Sequence, residues 1–75
     1  MRNTIKAFIS AGEKYYVGEC LELPVVTQGK TIEETVHNLQ EAVALQLEGE
    51  EVGQWDLSPH PHLLISMELD PAVNA

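Results

Sequence analysis

Residues able to do chemistry are few in this sequence and sparsely placed. His60 and His62 stand two apart, each directly after a proline (Pro59 and Pro61), so in extended backbone both imidazoles point to one side, as two ligands of one metal would. A pair is too few for a closed site, and nothing in the spacing requires His37 or Asp56 to complete it. No metal is expected. Cys20 has carboxylates at Glu19 and Glu22 and no nearby histidine, and negative charge suppresses the thiolate that a nucleophile needs. A half-buried structural cysteine is the expectation. Glu33, Glu34, Glu41 and Glu48 could supply a general acid and base, but they fall on one solvated side of a helical pattern. No phosphate-binding loop, dinucleotide fingerprint, nucleophile elbow or His-Glu-x-x-His motif occurs. The reading is a non-enzymatic chain with no catalytic residue and no cofactor.

The elements that would position these side chains follow from periodicity. Ile5, Ala7 and Ile9 alternate with Lys6, Phe8 and Ser10, which predicts a strand over 4–10 with one buried face. Ala11-Gly12-Glu13-Lys14 is a break of hairpin length, and the aromatic and β-branched run Tyr15 to Leu23 predicts a second, antiparallel strand. Pro24 ends it, and Val25 to Gln28 predicts a short third strand closed by Gly29. Thr31 followed three residues later by Glu34 matches a helix capping box. From there Ile32, Val36, Leu39, Val43 and Leu47 form an apolar stripe that must lie on the sheet, with Gly49 as the stop. Residues 50–58 read as a loop, and Leu63, Ile65, Met67 and Leu69 alternate within a fourth strand over 62–70 ended by Pro71. The order β-β-β-α-β predicts a two-layer α+β domain over residues 1–75, one helix on a mixed four-stranded sheet. A right-handed helical crossover returns the fourth strand parallel to the first, in sheet order 3-2-1-4.

Composition narrows the partners. The 75 residues hold 4 Lys+Arg against 12 Asp+Glu, for a net charge of −8. Phosphate-binding proteins draw their affinity from Lys and Arg, so direct nucleic-acid binding is not expected, and an acidic membrane surface is disfavoured for the same reason. No apolar stretch approaches the ~20 residues of a membrane span, and the N-terminus lacks the apolar block of a secretion signal. A single cysteine excludes an internal disulfide framework and fits a reducing, cytoplasmic setting. A chain this short buries only about 60% of its unfolded surface, which favours help from another subunit as a homodimer or homotetramer. Two surfaces suit a protein partner. On a helical wheel Glu34, Glu41, Leu45 and Glu48 cluster away from the apolar stripe, an apolar residue ringed by acids. The edge of strand four, with Leu64, Ser66 and Glu68 as contact residues, would present unpaired backbone groups.

Several segments resemble the HicB-like antitoxin family. They are Tyr15 to Pro24 with its aromatic-rich strand and Leu-Pro corner, Val26 to Thr35 with a Thr-Gln-Gly turn and a Thr-x-Glu-Glu helix start, and Asn38 to Ala42 in the helix body. The resemblance implies a partial RNase H-like core of the same β-β-β-α-β order. It also implies an antitoxin that binds and neutralises a small basic mRNA-cleaving toxin of the HicA type. Many HicB proteins carry a C-terminal operator-binding module, and this sequence is expected to be the HicB-like core without it. Strand one has no acidic residue, so the resemblance does not imply nuclease chemistry. The alternative is an orphan homo-oligomeric scaffold or small-ligand-binding domain with no toxin partner.

Overall fold

A computed structural model describes residues 2–49 and 57–69. Its elements are β1 (Arg2–Ala11), β2 (Tyr16–Cys20), β3 (Val26–Gly29), α1 (Ile32–Gly49) and β4 (Leu57–Glu68). The strands form one sheet in the order β3-β2-β1-β4. β1 pairs antiparallel with β2 and parallel with β4, and β2 pairs antiparallel with β3. This is the α+β layout expected from the alternation and the capping signal, with the crossover helix returning β4 beside β1.

Element boundaries differ from the expectation where backbone hydrogen bonds of a chain reversal and proline intervene. β2 stops at Cys20 instead of Leu23, because the chain folds back on itself: Cys20 N–H donates to Val25 O (3.0 Å) and Val25 N–H to Leu23 O (2.8 Å). That reversal drives Leu23 and Val25 into the core while Pro24 stays outside. β4 starts at Leu57, earlier than the expected residue 62, yet its regular pairing does begin at Thr4↔His62. Between Arg2↔Leu57 and that pair the register shifts, and Pro59 and Pro61 lie in the shifted stretch, where neither can donate to a ladder. The expected loop overlaps β4 at Leu57 and Ser58, its remaining residues 50–56 lie outside the described residues, and so do Asp70 and Pro71.

The core is Ile5, Ala7 and Ile9 of β1, Leu23 and Val25 of the corner, and Leu39 and Val43 of the helix. Ile32, Val36 and Leu47 of the expected stripe are only partly buried. In its first turn the helix approaches β2 and β3 so closely that the residue at the contact is the small polar Thr35, fully buried. The Thr35 hydroxyl donates to Thr31 O at 2.8 Å, which satisfies the group that burial removes from water. This approach needs two glycines. A Cβ at Gly18 would stand 2.9 Å from Leu39 Cγ, and one at Gly29 would stand 2.7 Å from the Thr35 backbone nitrogen. Apolar periodicity alone misses Thr35, because a polar residue flanking the stripe reads as surface.

Candidate protein-binding surfaces

The acidic side of α1 is built by its own first turn and by the burial of the opposite side. Thr31 Oγ1 accepts the Glu34 N–H at 3.0 Å, and the Glu34 carboxylate accepts the Lys30 N–H at 2.5 Å. Glu34 is thus both a surface charge and part of the helix cap, and its charge complements the positive N-terminal end of the helix dipole. Asn38 Nδ2 donates to Gln28 O at 2.8 Å and ties the helix to the β3 edge. With Thr35, Leu39 and Val43 buried, Glu34, Glu41, Leu45 and Glu48 all face solvent. Leu45 is 68% exposed. Glu41 lies 3.6 Å from His37 Nε2, one turn earlier on the same exposed side. Glu48 stands in the last helical turn, which holds no basic residue, so its charge opposes the negative end of the dipole.

The second set lies elsewhere. The pairings Lys6↔Leu64, Phe8↔Ser66 and Ser10↔Glu68 place Leu64, Ser66 and Glu68 with the outward residues of β1, on the sheet face away from the helix. Directly paired residues share a face, so Phe8↔Glu19↔Val26 and Ser10↔Val17↔Gln28 continue the same open face across the sheet. The helix patch and the β4 residues therefore occupy opposite sides of a two-layer domain, and one flat partner cannot cover both. Inspection of β1 and β2 as separate strands does not reveal that open face, because Phe8, Val17 and Val26 become neighbours only through strand pairing.

The remaining candidates resolve into structural roles or stand apart. Cys20 packs half-buried against the core, and burial, reinforced by the Glu22 carboxylate, pushes its thiol above the ordinary range. Glu22 also accepts the Lys6 backbone N–H at 2.8 Å, serving β1 where β2 has already ended. His60 and His62 are exposed on β4 and His37 is exposed on α1, whereas Asp56 lies outside the described residues. Among the described residues no group of three His, Cys, Asp or Glu side chains converges, and no helix is long and apolar enough to cross a membrane. No family model, curated protein or solved structure matches this chain.

Proposed function

We propose that this is a HicB-like antitoxin-type binding protein that neutralises a small basic mRNA-cleaving toxin by direct contact, acting in the cytoplasm and without catalysis of its own. The observation that supports this most is the outer side of α1, where Leu45 stands exposed in line with Glu34, Glu41 and Glu48. An apolar residue rimmed by like charges is the arrangement of a small recognition patch, its centre desolvated on contact and its rim selecting the partner's charge. The net charge of −8 strengthens the attraction to a basic protein and speeds encounter. Glu48 adds a second support. A carboxylate at a helix C-terminus costs about 0.3–1 kcal/mol in the free protein, a cost that a cationic partner would relieve.

The test is co-expression with a small basic toxin encoded beside this gene, followed by pull-down and growth rescue. Binding and relief of toxicity are expected, and Leu45→Asp or the pair Glu41→Lys and Glu48→Lys should abolish both while leaving the fold intact. A soluble, folded protein that neither binds the neighbouring gene product nor relieves its toxicity overturns the reading.

A further inference from the structure

We propose that β4 is the seam of a two-fold homodimer, in which the free edges of two copies pair antiparallel about Leu64. Each edge of the sheet is managed differently. β3 is four residues long and the helix shields it, with Asn38 bonded to the carbonyl of Gln28. β4 is twelve residues long, and among the described residues no strand pairs with its outer edge. Over 62–67 it carries no Lys, Arg or Pro, and the two prolines of the strand lie at its beginning. A regular, apolar stretch of edge without such residues is a template for another strand.

The sequence of β4 selects what that strand is. Folded back on itself about Leu64, it sets Leu63 against the partner's Ile65, Leu64 against the partner's Leu64 and His62 against the partner's Ser66. Pro61 then meets the partner's Met67, and His60 meets the partner's Glu68. Apolar faces apolar and polar faces polar at every position, with histidine opposite glutamate at both ends. Shifting the centre to residue 63 sets His62 against a leucine, to 65 sets Leu64 against a serine, and to 66 sets Leu64 against a glutamate. Only the Leu64-centred register is self-complementary. Exposure alternates along the same stretch, with His60, His62, Leu64 and Ser66 exposed and Pro61, Leu63 and Ile65 intermediate, as a continuous strand over 60–66 requires.

The arrangement also accounts for the apolar side chains left open beside the helix. Met67 and Leu69 are 48% and 50% exposed, and Leu63 and Ile65 are only partly buried. A two-fold axis perpendicular to the sheet keeps each residue on its own face. The helix-side rows of both copies then meet at the seam, and the two helices flank them on one side of the merged sheet. This surface is separate from the acidic outer side of α1, so the dimer stands or falls independently of any toxin.

Cysteine cross-linking reads the register directly. In the proposed dimer the two Leu64 Cα atoms lie about 4.5–5.5 Å apart, within disulfide reach, whereas the two Ser66 Cα atoms are about 14 Å apart. Under mild oxidation, Leu64→Cys should run as a covalent dimer on a non-reducing gel, while Ser66→Cys and the natural chain, with Cys20 alone, stay monomeric. Sedimentation velocity of the natural protein at micromolar concentration should show a dimer, and Leu64→Lys, which sets two ammonium groups face to face, should shift it to monomer with an unchanged circular-dichroism spectrum. A monomeric natural protein, a dimer linked through position 66 but not 64, or a dimer that survives Leu64→Lys each overturns the proposal.

Discussion

The two halves of the sheet are built on opposite terms. On the β2–β3 side the helix is packed tightly: Gly18 makes room for the Leu39 and Thr35 side chains and Gly29 for the helix backbone at Thr35, Thr35 and Leu39 are fully buried, and Asn38 fastens the helix to the strand edge. On the β4 side, among the described residues, the strand pairs with β1 alone, and its side chains from Leu64 to Leu69 remain intermediate or exposed. A core this small cannot cover both halves with one helix. The lesson is a division of labour. The covered half carries the stability of the single chain, and the other half is the surface proposed above to meet a second copy.

That contrast predicts a graded response to mutation. Leu39→Ala should cost about 3 kcal/mol of unfolding free energy in urea titration, because it opens a cavity under the helix, whereas Met67→Ala on β4 should cost less than about 1 kcal/mol in the monomer. Equal losses at the two sites would break the comparison. Gly29→Ala comes next, at about 2 kcal/mol, since the added methyl meets helix backbone that cannot rotate away. Thr31→Ala removes the cap of the first turn and should cost about 1 kcal/mol by the same titration.

The outer side of α1 gives an effect of the other sign. Glu48→Lys should stabilise the free protein by about 0.5 kcal/mol by matching the helix dipole, while weakening the capture of a basic partner. Loss of stability at this position would mean that Glu48 serves the fold and not recognition. The smallest effect concerns Cys20. Its thiol is raised in the folded chain, so the folded state holds its proton when the unfolded state has lost it. Stability is therefore intact below the unfolded thiol pKa of about 8.5 and falls as pH rises above it, a decline that Cys20→Ser should remove from thermal melts recorded across that range.

Legibility in the sequence tracked how local each determinant is. The capping residues Thr31 and Glu34 act within one turn, and the alternation of Ile5, Ala7 and Ile9 acts within one strand, so both the helix start and the buried face of β1 could be read directly. The end of β2 could not. It depends on Cys20 bonding to Val25 and on the Glu22 carboxylate replacing a ladder partner for Lys6, contacts that exist only once the corner has folded. Among candidate surface residues, Leu45 and its acids were legible because one helix displays them together. That Leu64, Ser66 and Glu68 lie on the far side from that patch was not, since the facing of a strand is decided by the register of its neighbour.

By itself, then, the sequence determined the kinds of element, their order and the acidic character of the surface, because periodicity, capping chemistry and net charge are properties of short stretches or of sums. Tertiary structure alone decided that a buried threonine, not an aliphatic residue, sits where helix and sheet come closest, and that one strand edge is shielded while, among the described residues, no strand pairs with the other. The physical reason is the same in both cases. How near two layers can approach, and which backbone groups are left unpaired, depend on residues far apart in the chain and are set only when those residues meet.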